Sequence, residues 1–66
     1  MFAERLKESI DNNGITMYKV AKDLNLNKQT LINWATGVTE PKASEIRKLC
    51  LYLDVSANYL LELKEY

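Results

Sequence analysis

Apolar residues in this chain recur every three or four positions, in short runs cut off at Asn13-Gly14, Leu24-Asn25, Gly37, Pro41 and Asp54. That spacing matches one face of an α-helix, and no stretch offers a strand candidate. An all-α fold is expected. A chain of 66 residues buries only about 60% of the surface it exposes when unfolded, so it needs an efficient core or covalent staples. Hydrophobic residues make up 47% of the sequence, enough for a core. Cys50 is the single cysteine and has no histidine or cysteine partner at metal spacing, so neither a disulfide nor a structural metal is expected.

Five helices follow from the punctuation. Phe2, Leu6 and Ile10 make the inner face of the first, with Glu4, Arg5, Lys7 and Glu8 between them. Gly14 suits a left-handed cap at its end. Thr16 is placed to cap a second helix carrying Met17, Val20, Ala21 and Leu24. Asn25 tolerates the left-handed conformation of a sharp turn, and Asn27 can cap a third helix with Thr30 or Leu31, Trp34 and Ala35 inward. Gly37 ends it. Pro41 precedes or opens a fourth helix on which Ala43, Ile46, Leu49, Cys50 and Leu53 share a face. Ser56 then caps a last helix bearing Tyr59, Leu60, Leu61 and Leu63. One domain over residues 1–66 is expected, with its helix-turn-helix at about 16–37.

Composition removes several function classes. The chain has no histidine, the commonest general base and metal ligand, and its two glycines cannot form a phosphate-binding loop. Enzymatic activity is not expected, nor is a cofactor. The longest apolar run, Leu49 to Leu53, is far shorter than the roughly 20 residues of a membrane span, and Glu4 and Arg5 spoil a signal peptide. A cytoplasmic protein with no membrane partner is the expectation. The chain lacks room for a separate effector domain, so it is expected to be either a complete minimal regulator or a fragment of a longer repressor, and no small-molecule effector is expected.

The informative stretch is Thr16 to Gly37, since helix, tight turn, helix is the geometry that places a second helix in the DNA major groove. The polar residues of the third helix are unusual for a solvated surface. Lys28, Gln29, Thr30 and Asn33, with neighbouring Asn27 and Thr36, are mostly hydrogen-bonding side chains where an ordinary surface would carry Glu and Lys pairs. Amides can make paired bonds to adenine, and lysine can reach guanine acceptors.

The ordered set of residues from Gly14 to Ala21, Leu24 to Trp34, Gly37, Pro41 and Leu53 to Leu60 resembles the helix-turn-helix domain of the lambdoid phage repressor and Cro family, the xenobiotic-response-element family. The resemblance implies a compact five-helix, lambda-repressor-like fold, with the third helix as recognition helix. It also implies a homodimer on a palindromic double-stranded operator. Lys28, Gln29 and Asn33 match positions from which the family reads bases, with Thr30 and Ile32 beside them. Thr16 and Met17 match a phosphate-binding helix start, Asn27 the recognition-helix cap, and Thr39 and Lys42 the loop that follows the DNA backbone. Thr36 joins this backbone set, and Lys19 and Lys22 either graze phosphate or merely solvate their helix.

Three positions depart from the family pattern. Met17 stands where a glutamine usually clamps phosphate, so only its backbone N–H can serve; Asn25 replaces a turn glycine; and Val38-Thr39-Glu40 replaces a typically basic stretch. Trp34 is read as core, and Cys50 as buried packing. Leu51, Tyr52, Tyr59, Leu61, Leu63 and Tyr66 are an apolar excess near the C-terminus, either satellite core or a dimer interface of the fourth and fifth helices.

A small transcriptional regulator of prokaryotic or phage type, most simply a repressor, is the resulting expectation. The rival is a protein-interaction or antitoxin-like module of the same fold; a small hydrolase is weaker still. Nine basic residues balance nine acidic ones, but not evenly along the chain. Residues 1–13 carry two against three, residues 14–48 six against three, and residues 49–66 one against three. The helix-turn-helix segment is thus the basic part of a neutral chain.

Overall fold

The computed structural model describes residues 2–65; Tyr66, the last member of the C-terminal apolar excess, lies outside the described residues. Five helices follow one another: α1 (Phe2–Asn12), α2 (Met17–Asp23), α3 (Lys28–Ala35), α4 (Ala43–Leu53) and α5 (Ala57–Leu60). No strand occurs among the described residues.

Each helix contributes one wholly buried side chain: Leu6 from α1, Val20 from α2, Leu31 from α3, Leu49 from α4 and Leu60 from α5. Ile10, Trp34 and Leu53 complete the centre, and Phe2, Ile15, Leu24 and Leu26 pack against it. At about 25 cal/mol per Å² of apolar surface, this shared core is what makes such short helices stable. Trp34 is core, as its spacing predicts. α3 rests on both α1 and α2, while α5 bridges α1 and α4.

Local chemistry sets the ends. Thr16 Oγ1 accepts from the Lys19 N–H at 3.1 Å, Asn27 Oδ1 from Gln29 N–H at 2.8 Å, and Ser56 Oγ from Tyr59 N–H at 3.0 Å. Lys42, the residue before α4, has no side-chain acceptor, but its N–H donates to Glu45 Oε1 at 2.7 Å. Gly14 has φ +68°, and a Cβ there would meet nothing within 4 Å, so conformation rather than space calls for glycine.

Two expectations need correction. The last helix stops at Leu60, so Leu61 and Leu63 lie beyond it. Glu62 takes φ +60°, and the Leu63 N–H closes back onto Asn58 O at 2.8 Å. A residue far away in sequence holds the segment that follows: Arg5 donates to the backbone oxygens of Tyr59 (3.0 Å) and Lys64 (3.2 Å), which ties the segment after α5 to α1. Cys50 is half-buried rather than buried, because it borders an open groove between α4 and α5. Its apolar setting raises the thiol pKa.

Candidate nucleic-acid interface

α2 and α3 are joined by a turn whose geometry is closed by backbone bonds. Asn25 sits at φ +56°, the Leu26 N–H donates to Ala21 O at 2.8 Å and the Asn25 N–H to Lys22 O at 3.2 Å. This pair of bonds satisfies the last carbonyls of α2 and reverses the chain. Asparagine can take this position because its short side chain tolerates the left-handed region. α3 ends in the same way: Gly37 at φ +80° lets the Val38 N–H reach Asn33 O at 2.9 Å.

Leu31, Trp34 and Ala35 occupy the inner face of α3. The opposite stripe therefore consists of Lys28, Gln29, Ile32, Asn33 and Thr36, spaced one and four residues apart. Lys28, Gln29 and Thr36 are exposed, Ile32 and Asn33 half-buried, and Thr30 half-buried on the flank. The Gln29 side-chain nitrogen donates to Asn33 Oδ1 at 2.9 Å. The two residues with the strongest base-reading chemistry are thus one hydrogen-bonded unit.

The residues expected to follow the DNA backbone differ in exposure and in their partners. Thr16, Asn27, Thr39 and Lys42 are exposed, and Met17 is half-buried against the core. Thr36 Oγ1 donates to Ile32 O at 2.8 Å, which leaves the hydroxyl only its acceptor capacity. Lys22 is exposed. Lys19 is held within the chain, its Nζ 3.2 Å from the Asp23 carboxylate. Glu40 is exposed in the α3–α4 connection.

The C-terminal apolar set divides in two. Leu51 is 73% exposed, Leu61 42% and Leu63 69%. Leu51 and Leu61 flank an apolar groove of about 350 Å³ that also involves Ile46, Cys50 and Ala57. Tyr52 and Tyr59 are instead half-buried and engaged inside the chain. The Tyr52 hydroxyl bonds to Asp23, and the Arg5 guanidinium lies 4.5 Å from the centre of the Tyr59 ring.

Tyr18 escaped the sequence reading. It is 62% exposed in the first turn of α2, and Lys22 follows it four residues on, sharing its side of the helix. The available signal was an aromatic residue off the apolar stripe. Val38, part of the stretch that replaces a typically basic one, is 69% exposed just after α3.

Among the described residues no helix is long and apolar enough to cross a membrane, and no group of three or more His, Cys, Asp or Glu side chains could hold a metal ion. Curated proteins give no significant match to the chain. A helix-turn-helix domain family matches residues 3–65. With that match spanning nearly the whole length, and with a capped α2, a closed turn and an α3 whose polar stripe faces outward, the chain belongs to the helix-turn-helix family.

Proposed function

We propose that this chain is a sequence-specific double-stranded DNA-binding transcriptional regulator, a repressor that acts as a homodimer on a palindromic operator. α3 enters the major groove of one half-site. Lys28, Gln29, Thr30, Ile32 and Asn33 read base edges, while Thr16, Met17, Asn27, Thr36, Thr39 and Lys42 follow the sugar-phosphate backbone, with Lys19 and Lys22 at its margin. Repression follows from occupying DNA that polymerase needs, in the cytoplasm of a bacterial or phage-infected cell.

The observation that carries this reading is the outward stripe of α3, where an amide pair bonded at 2.9 Å stands beside a lysine instead of the Glu and Lys pairs of a merely solvated helix. Size supports a dimer: the longest dimension of one copy is 28 Å, short of the roughly 34 Å between successive major-groove faces. One copy covers one half-site. Leu51, Leu61 and Leu63 offer the apolar surface for pairing, with Tyr52 and Tyr59 as its less exposed members.

A second reading, a protein-interaction or antitoxin-like module, draws on the zero net charge and on exposed Glu40. Selection by gel shift from random duplex DNA tests the two. An enriched palindrome is the expected result; no retention of any duplex at low salt would overturn DNA binding and leave the interaction module.

A further inference from the structure

We infer that Gln29 and Asn33 act as one reading unit, and that it selects an adenine next to a guanine within each half-site. The inference rests on the DNA-binding reading above and names the sequence that surface recognises.

A primary amide has two N–H donors and one oxygen acceptor. Gln29 spends one N–H on Asn33 Oδ1. Its other N–H and its own oxygen, on the same edge of the amide, form a donor beside an acceptor. Adenine answers that edge with N7 and its amino group. Asn33 is left differently. Its oxygen already accepts from Gln29 through one of its two lone pairs, which leaves its NH₂, with two donors, as the fully free group. Guanine presents two acceptors, N7 and O6, in the major groove, whereas thymine offers one and cytosine presents an amino donor.

Spacing makes the two bases neighbours. The two amide groups are in direct contact, Gln29 Nε2 to Asn33 Oδ1 at 2.9 Å, and successive bases stack about 3.4 Å apart, so groups that touch on the helix can reach neighbouring bases. They address adjacent base pairs. The two side chains also differ in how firmly they are held. Asn33 is half-buried, and its backbone oxygen accepts from the Val38 and Thr39 N–H groups at 2.9 and 3.3 Å, whereas Gln29 is exposed. Asn33 is therefore a positioning residue for Gln29 as well as a contact in its own right.

Selection from random duplex DNA with the full chain and two variants tests this, with folding of each checked by circular dichroism. The wild type is expected to enrich adenine beside guanine. Asn33→Asp keeps an oxygen acceptor for Gln29 but has no N–H when ionised, so adenine preference should persist while guanine preference is lost. Asn33→Ala removes both functions, and preference for adenine should fall by at least about fivefold although residue 33 then touches no base. A wild-type motif lacking that neighbouring pair, or an Asn33→Ala variant with adenine preference intact, overturns the inference while leaving DNA binding in place. Failure to retain any duplex at low salt removes the DNA-binding reading itself, and the inference with it.

Discussion

The Tyr52 hydroxyl donates to the Asp23 carboxylate across 29 residues of sequence and joins the end of α2 to α4. That bond, with the Lys19 ammonium as the next contribution, holds the Asp23 carboxyl below its ordinary value, and the same bond raises the Tyr52 phenol. A carboxylate with a depressed folded-state pKa adds stability that is present above its unfolded pKa and is lost as pH falls through the folded one. The acid side of the stability profile, below about pH 4, is where this pair acts. Tyr52→Phe should flatten that limb and raise the Asp23 titration midpoint towards that of an ordinary aspartate, as read by carboxyl NMR. An Asp23 midpoint that does not move on substitution would show that the bond is not what depresses it.

Arg5 performs a comparable task at the other end of the molecule. Its guanidinium donates to Tyr59 O and Lys64 O, lies near Glu62 (3.7 Å) and Glu65 (3.3 Å), and covers the Tyr59 ring. The carboxylates are exposed and add little; the backbone bonds and the ring contact are the stronger part. Arg5→Met should lower stability by roughly 1–3 kcal/mol and free the backbone amides of residues 61–65 to exchange with solvent. Lysine at position 5 should recover only a fraction, because a point charge cannot serve two carbonyls and a ring face together. Full recovery by lysine would show that charge alone suffices.

The left-handed turn at Asn25 gives a stability test inside the helix-turn-helix. Asn25→Ala should cost about 1–2 kcal/mol, which for a domain of this size is a fall in Tm of roughly 4–8 °C per kcal/mol. Asn25→Gly should be close to neutral. Equal losses for alanine and glycine in thermal denaturation would show that the asparagine side chain, not the backbone conformation, is what the turn requires.

These tests also separate what is local in the sequence from what is not. The caps at Thr16, Asn27 and Ser56 and the left-handed residues Gly14, Asn25 and Gly37 were legible because each acts on residues within one turn of itself. The polar stripe of α3 was legible for the same reason, as the complement of Leu31, Trp34 and Ala35. Arg5 reaching residues 59–65 and Tyr52 reaching Asp23 carry no local signature, since an arginine or tyrosine at a helix margin looks the same whether it is solvated or clasping a distant strand of backbone. The early end of α5 belongs with them: Glu62 at φ +60° is a residue type that rarely adopts that conformation, and there it closes the helix through Leu63 N–H to Asn58 O while Arg5 holds the segment that follows. Leu61 and Leu63, read as helix face, were misplaced as a consequence.

Pairing of two copies through the α4–α5 groove predicts a specific failure. A glutamate at Leu61 or Leu51 places a charge against apolar surface, and both side chains lie outside the buried core. Either substitution should leave helicity unchanged and shift the sedimentation of the chain to that of a monomer, with Tm lowered only by the stability that pairing contributes. Unaltered sedimentation of both variants, at concentrations where the wild type is dimeric, would remove this groove as the interface.

The charge pattern sets how DNA affinity should respond to salt. Three net positive charges lie in residues 14–48 and the flanking segments are acidic, Lys19 is paired with Asp23, and Met17 offers no polar side chain. Few phosphates can then be neutralised per copy, and affinity should fall with salt less steeply than for a protein making about ten phosphate contacts. Lys42→Ala should weaken binding to all sequences alike and reduce the salt slope by about one. Gln29→Ala should instead cost about 1–3 kcal/mol on the selected operator and leave random DNA nearly unchanged. The two variants therefore move different observables, the slope for one and the ratio of specific to random affinity for the other. Equal losses on operator and random DNA for Gln29→Ala would transfer that residue from base reading to backbone contact.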